Sequence, residues 1–181
     1  METALKWISD KEYTTIEGYM SQHQHDPRAQ ALWSYFRSVI EWVESIFPKK
    51  SSYMKGLPWG IYFNQHGERE DLDPKKLELE VQRLMGDEDV TKKSGIYEYL
   101  LTGEESKLSI RQFDKRDRLA AYERQGHKCA ICGNEFEFEQ MQGDHIVPWS
   151  KGGKTTPENC RMLCAECNVK LSNKNSANVD Q

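Results

Sequence analysis

The residues of this chain best suited to chemistry are the adjacent pair Asp144-His145, followed by Asn159 and Asn168. Carboxylate and amide oxygens bind hard divalent cations such as Mg²⁺. A neutral imidazole can take a proton from a water molecule near pH 7. Together these side chains could hold one hard cation and activate a water. That combination indicates hydrolysis of a phosphodiester bond rather than a purely structural role.

Two Cys-x-x-Cys pairs, Cys129/Cys132 and Cys164/Cys167, bracket the Asp-His pair. Zinc prefers four tetrahedral ligands, and four thiolates form a closed site that stabilises a fold instead of carrying out chemistry. The 31 residues between the pairs, 133 to 163, exceed the gap of about 15–20 residues typical of a zinc ribbon. We therefore predict a structural zinc site with an additional element, which carries the polar residues, inserted between its two halves.

The alternative to a zinc site is a pair of disulfides or four unrelated buried thiols. Disulfides need an oxidising compartment, and residues 1–25 carry charges throughout, with no apolar run of signal-peptide length. No apolar stretch reaches about 18 residues, the length of a membrane-spanning helix. We therefore expect a cytoplasmic zinc protein that does not cross a membrane.

The charge of the chain is unevenly distributed. The net charge of −4 is unusual for a nucleic-acid-binding protein. Residues 113–181 are neutral, however, and residues 151–174 hold five basic against two acidic side chains. Phosphate attraction would then be local to this stretch, unless the basic residues are simply solvated. The candidate DNA contacts are Lys151, Lys154, Arg161, Lys170 and Lys174.

The first 112 residues are predicted to be mostly helical, because apolar residues recur there at helical spacing. Pro48 should end the longest of these helices. Four tryptophans in this part are expected to pack in the core rather than bind a ligand. Helix starts are predicted at Thr14 or Thr15, Asp26-Pro27, Asp73-Pro74, Thr91 and Asp114.

The pattern changes after Gly126. Residues 136–139 alternate Phe and Glu and predict a half-buried strand. Residues 141–147 predict a second strand that carries Asp144-His145, residues 148–157 a loop, and residues 163–170 a short helix. The expected fold class is α+β. It would have a helical domain over residues 1–112 and a small zinc-stabilised module over residues 113–181, with its core at 126–174.

Other polar clusters are expected to be structural. Asp26 should cap the helix that follows it, which explains the sequence His23-Gln24-His25-Asp26 without a metal. Cys160, the odd cysteine, should be a small buried thiol rather than a fifth ligand.

The run CAICGN…DHIVPWSKGGKTTPENCRMLCAECN resembles the HNH endonucleases of the His-Me finger, or ββα-metal, class. Within that class it is similar to the subgroup with a four-cysteine zinc site. The resemblance covers about residues 119–174, the last third of the chain. It implies that His145 is the general base and that Asp144 and Asn168 hold Mg²⁺ or Mn²⁺. It also implies that Asn159 holds the intervening loop by hydrogen bonds.

These features predict a metal-dependent DNA endonuclease with weak sequence preference. The alternative is a zinc-stabilised module that binds DNA or protein without cleaving it. The helical half resembles the C-terminal regions of GmrSD-like bacterial restriction and phage-defence proteins. That resemblance implies a nucleotidase-type partner domain on the N-terminal side. A second copy of the chain is the other candidate partner, because a single site of this kind cuts one strand at a time.

Overall fold

The computed structural model describes residues 2–176, with side chains described through Leu171. The chain divides into two compact units, Met1–Ser109 and Ile110–Gln181. The predicted domains, a helical one over residues 1–112 and a nuclease module over residues 113–181, stay predictions. No helix in the described part of the chain is long and apolar enough to cross a membrane.

The first unit is built from helices joined by short turns. Its core is largely aromatic, with Trp7, Trp59 and Tyr97 buried, and Phe47 meets the ring of Tyr97 edge-on at 5.1 Å. Trp33, by contrast, is 56% exposed. The helices in chain order are α1 (Glu2–Lys11), α2 (Ile16–Gln22), α3 (Gln30–Ile46), α4 (Trp59–His66), α5 (Pro74–Gly86) and α6 (Gly95–Thr102).

Three predicted helix starts are confirmed by their capping bonds. Thr15 accepts from the backbone N–H of the third residue after it at the start of α2. Asp73 accepts from two N–H groups in the first turn of α5, and Asp114 caps helix α7 (Lys115–Arg124). Each side chain satisfies backbone donors that have no partner inside the helix. Local sequence was sufficient at these positions because capping is a local interaction.

Two other predicted starts are wrong. Helix α3 begins at Gln30, with Ala29 at the capping position. The carboxylate of Asp26 instead lies 2.8 Å from Nδ1 of His23, so it caps nothing. The hydroxyl of Thr91 donates to the carbonyl of Ser109 instead of capping, and α6 begins four residues later. In both cases another hydrogen bond engages the predicted capping side chain.

The second unit contains α7, a two-stranded antiparallel hairpin and a final helix. Strand β1 (Met141–His145) pairs with strand β2 (Cys160–Cys164), and helix α8 (Ala165–Ser176) follows directly. The register sets Asp144 opposite Arg161 and His145 opposite Cys160. The α+β fold class is thus confirmed, and the order of the last elements is β1, β2, α8.

The strand predicted at 136–139 is wrong. A short 3₁₀ turn spans Phe138–Gln140, and Glu135 forms a single bridge with Lys128. The two phenylalanines alternate because both pack against the core of this unit. The strand that does pair with β1 lies at 160–164, across the predicted boundary between loop and helix. Its residues Met162 and Leu163 are fully buried, and a short apolar run does not by itself distinguish a strand from a helix.

Burial predicts how two leucines of α5 differ in their contribution to stability. Leu84 has no exposed surface, whereas Leu79 is 65% exposed. Leu84→Ala should lower the free energy of unfolding by about 2–5 kcal/mol, because it leaves a cavity. Leu79→Ala should change it by about 0.5 kcal/mol or less. Urea denaturation followed by circular dichroism measures both, and equal losses would contradict this difference in packing.

Candidate active site and metal centre

Two segments distant in sequence bring four cysteines together. Cys129 and Cys132 lie in a turn after α7, which Gly133 closes by donating to the carbonyl of Cys129 at 2.9 Å. Cys164 ends β2, and Cys167 lies in the first turn of α8. The four sulfur atoms all lie within 4.8 Å of one another. This cluster ties the turn after α7 to the junction of β2 with α8.

The cysteine cluster fits a metal ion by both distance and charge. Four sulfurs around a tetrahedral zinc ion lie about 3.8 Å apart, given a zinc–sulfur bond of about 2.3 Å. Burial raises the pKa of Cys129, but backbone N–H donors outweigh it and bring that pKa to about 6. Burial, followed by the three neighbouring thiols, raises the pKa of Cys167 to about 12. Four adjacent thiols cannot all ionise without a cation among them, so this donor set could hold one.

Cys160 is separate from this cluster, as expected. Its side chain has no exposed surface and packs in the core of the second unit. Burial raises the pKa of its thiol to about 11. A neutral, buried thiol of this kind is inert and contributes apolar packing.

Asp144 forms an ion pair across the hairpin with Arg161. Nε of Arg161 donates to Oδ2 of Asp144 at 2.9 Å, and Nη2 donates to the same oxygen at 2.7 Å. About a quarter of each side chain is exposed. Both bonds end on Oδ2, so the other carboxylate oxygen, Oδ1, is the atom left for a cation.

His145 is held by contacts on two sides. Nε2 of its ring lies 3.0 Å from the hydroxyl oxygen of Thr155. The ring of Phe113 lies 4.5 Å from the imidazole, between centroids, at an angle of 47°. These contacts differ from those of the adjacent Asp144, because successive side chains of a strand point to opposite faces.

Asn159 closes the loop between β1 and β2. Its Oδ1 accepts from the N–H of Val147 at 2.8 Å, and its Nδ2 donates to the carbonyls of Val147 and Lys154 at 3.0 and 2.8 Å. The loop is also tight at Gly153, where an added Cβ would lie 1.8 Å from the carbonyl oxygen of Val147. One amide thus fixes both ends of the loop that contains Thr155.

A hydrogen bond joins Asn168 to β1. Its Nδ2 donates to Oε1 of Gln142 at 2.5 Å. Gln142 lies two residues before Asp144, so both side chains belong to one face of the strand. Because the amide nitrogen of Asn168 makes this bond, its oxygen is the atom suited to a cation. Asn168 also follows Cys167 directly, which ties it to the cysteine cluster.

The comparison with family models matches residues 129–174 to the family described as HNH endonuclease. Residues 129–174 are an HNH endonuclease domain. Such a domain hydrolyses phosphodiester bonds, so the predicted enzyme class is confirmed for this part of the chain. The four clustered cysteines and the polar residues of the hairpin all lie within the matched range.

A curated relative supports the same domain. The chain is 36% identical over 73 residues to the CRISPR-associated endonuclease Cas9 of Corynebacterium diphtheriae. The similarity covers 38% of this chain and 7% of that relative, so the chain spans a small fraction of the relative's length. No solved structure matches the chain significantly.

The five basic residues predicted to contact DNA lie in different settings of the HNH domain. Lys151 and Lys154 are exposed in the loop between the strands. Arg161 is engaged by its cross-strand carboxylate, and Lys170 forms an exposed ion pair at 2.6 Å with a glutamate one turn earlier. The side chain of Lys174 lies outside the described residues. The two loop lysines are at the surface of the domain, where a phosphate could reach them.

Residues that hold the predicted site in place were missed in the sequence. Gln142 could have been found, because a strand places it on the face of Asp144. Thr155 carried a weaker signal as a hydroxyl in the loop fixed by Asn159. Phe113 gave no local signal, because it lies more than 30 residues before the histidine that it contacts.

The cysteine cluster predicts a selective loss of metal in one variant. We expect the purified chain to hold one zinc ion, and Cys164→Ser to lose most of it and to unfold the HNH domain. Cys160→Ala should retain the metal, because that thiol lies outside the cluster. Zinc per chain, measured by plasma mass spectrometry, and circular dichroism test this. Full zinc content in Cys164→Ser would contradict it.

Proposed function

We propose that this chain is a metal-dependent DNA endonuclease that uses a histidine-activated water and one divalent cation. The observation that carries the proposal is the β1–β2 hairpin of the HNH domain. Asp144 and His145 are adjacent on β1, and Asn168 is bonded to the same strand through Gln142. A carboxylate and an imidazole thus lie on one short strand, and an amide of α8 is hydrogen-bonded to that strand.

His145 is the proposed general base. Its imidazole would take a proton from the water that attacks the phosphorus atom. A base of this kind must keep a fixed orientation toward the water, because proton transfer requires hydrogen-bond geometry. The contacts of the ring with Thr155 and Phe113 support that requirement.

Asp144 and Asn168 are the proposed ligands of Mg²⁺ or Mn²⁺. Hard cations prefer oxygen donors, and these two residues have one carboxylate oxygen and one amide oxygen not used in the bonds to Arg161 and Gln142. The chemistry supplied by a bound cation would be Lewis-acid stabilisation of the charge on the phosphate. Arg161 would orient the carboxylate, as outer hydrogen-bond partners of metal ligands do.

The proposed role of the cysteine cluster is structural zinc binding. Cys167 precedes Asn168, so a zinc ion among the thiolates would fix the start of α8 and with it the amide. Four thiolates complete a tetrahedral coordination sphere, which leaves no position for water on that ion. Zinc would therefore affect cleavage through the fold of the domain and the position of Asn168, and not by binding the attacking water.

The proposed substrate is DNA, which the chain would bind through the phosphates of the DNA backbone. The exposed lysines of the loop, Lys151 and Lys154, lie between the two strands of the hairpin. Lysine contacts to phosphates add affinity but read no bases. We therefore propose weak intrinsic sequence preference, with Lys170, Lys174 and Arg161 as further candidate contacts.

The wider setting is also a proposal. The helical unit would position DNA or a partner, either a nucleotidase-type domain or a second copy of this chain. A site of this kind cuts one strand at a time, so cleavage of both strands would need a second copy or a second encounter. A role in restriction or phage defence, in the cytoplasm, would fit that arrangement.

One observation favours a second candidate, a zinc-stabilised module that binds DNA or protein without cleavage. The ion pair with Arg161 already satisfies one oxygen of the proposed metal ligand Asp144. A module that needs no second cation could keep that pair permanently. Dependence on added Mg²⁺ separates the two candidates, because only the enzyme requires it.

Plasmid cleavage tests the nuclease directly. The purified, zinc-loaded chain should nick supercoiled DNA when Mg²⁺ or Mn²⁺ is added and not in its absence. His145→Ala should reduce the rate by about 10²–10⁴-fold, the usual contribution of a general base. The matched control is His25→Ala, an exposed histidine of the first unit, which should cleave at the wild-type rate.

Two results would count against this mechanism. Wild-type cleavage by His145→Ala would show that another group activates the water. DNA binding without cleavage by the folded, zinc-loaded chain, at any Mg²⁺ or Mn²⁺ concentration, would favour the binding module. Circular dichroism and zinc content should be equal in the wild type and both variants, so that loss of fold cannot explain a loss of rate.

A further inference from the structure

Two hydrogen bonds connect the imidazole of His145 to the backbone through one hydroxyl group. Nε2 of His145 lies 3.0 Å from Oγ1 of Thr155. The same hydroxyl donates to the carbonyl oxygen of Arg111 at 3.2 Å. Arg111 lies in the segment just before α7, whereas Thr155 belongs to the loop between β1 and β2. The side chain of Thr155 therefore links the imidazole ring, the loop between β1 and β2, and the segment before α7.

The direction of these bonds determines where the imidazole carries its proton. A hydroxyl group has one hydrogen to donate, and Thr155 gives it to Arg111. Its oxygen must then accept the other bond, so Nε2 of His145 is the donor. A neutral imidazole with its proton on Nε2 has its lone pair on Nδ1. The hydroxyl thus selects one of the two neutral forms of the ring.

The surroundings hold both partners of this bond in place. The ring of Phe113, two residues after Arg111, packs against the imidazole at 4.5 Å and is itself buried. Asn159 binds the carbonyl of Lys154 at 2.8 Å, directly before Thr155. The imidazole is therefore packed on one face and hydrogen-bonded at Nε2, and the hydroxyl is carried on a loop that cannot easily move away.

We propose that Thr155 is the positioning residue of the general base, and that it directs the proton of the attacking water to Nδ1 of His145. The effect of Thr155 on catalysis rests on the proposed nuclease function. In the step, an O–H bond of the water breaks and an N–H bond forms at Nδ1. The water oxygen bonds to phosphorus. The P–O bond to the leaving oxygen breaks, and its electron pair stays on that oxygen, which takes a proton from solvent.

The hydrogen bond at Nε2 persists through this step. The ring becomes an imidazolium, whose two nitrogens both carry protons. The Nε2 proton stays where it was, so Thr155 keeps accepting and does not need to rotate. Thr155 therefore holds the ring in one orientation throughout the transfer without touching the substrate.

Two substitutions separate this role from simple loop packing. Thr155→Val keeps the shape of the side chain and removes the hydroxyl, whereas Thr155→Ser keeps the hydroxyl and removes a methyl group. The kcat of Thr155→Val should fall at least about tenfold with KM little changed, as for other residues that orient a functional histidine. Thr155→Ser should restore most of kcat. The adjacent, exposed Thr156→Val is the matched control and should keep the wild-type kcat.

The tautomer itself gives a readout that does not depend on cleavage. Nitrogen-15 NMR of the zinc-loaded full chain distinguishes a protonated ring nitrogen from one with a free lone pair, and comparison with His145→Ala identifies the signals. The wild type, with its ring neutral, should show a proton on Nε2 and a lone pair on Nδ1. Thr155→Val should show a mixture of the two neutral forms, while Thr155→Ser should keep the wild-type signals.

The results also separate this inference from the proposed function. A proton on Nδ1 in the wild type, or an unchanged kcat and tautomer in Thr155→Val, would overturn the role of Thr155. A serine variant as impaired as the valine variant would reduce Thr155 to a packing residue and would also overturn it. A wild type with the Nε2–H form that cleaves no DNA would support positioning by Thr155 while refuting the nuclease.

Discussion

The four-cysteine cluster is the constraint on which the second unit depends. The hairpin has two strands of five residues each, and an isolated hairpin is at best marginally stable in water. The sulfurs join the turn after α7 to the point where β2 becomes α8. Because Cys164 and Cys167 lie at that junction, a metal ion there would set the angle at which the helix leaves the sheet. A small unit can in this way hold its polar side chains rigidly without a large apolar core.

A common pattern links three of the proposed functional residues of the second unit. Asp144 is bound through Oδ2, His145 through Nε2 and Asn168 through Nδ2. In each case the bonded atom is the one that the proposed chemistry does not need. Neighbouring groups thus orient these side chains, which lowers the cost of reorganisation when substrate and cation arrive.

The sequence predicted much of this site because the candidate ligands and catalytic residues occur in short, local motifs. The Cys-x-x-Cys spacing and the Asp144-His145 pair could be read without a fold, and capping predicted the starts of α2, α5 and α7. Prediction failed where the outcome depended on contacts between distant residues. Phe136 and Phe138 alternate because both face the core, not because they form a strand. Strand β2 was missed because its conformation depends on pairing with β1, which no local pattern reveals. The contact of Phe113 with His145 could not be inferred, since nothing local connects them.

The pleat of β1 constrains how the proposed catalytic groups can act together. Adjacent residues of a strand point to opposite faces, and Asp144 and His145 have different neighbours accordingly. A phosphate could not contact both side chains from the middle of such a strand. β1 ends at His145, however, and the chain bends at the next two residues. The end of the strand is therefore the one place along β1 where a cation held by Asp144 and a water beside His145 could share a single phosphate. The loop that Asn159 closes begins at that point, which is why its shape matters to the chemistry.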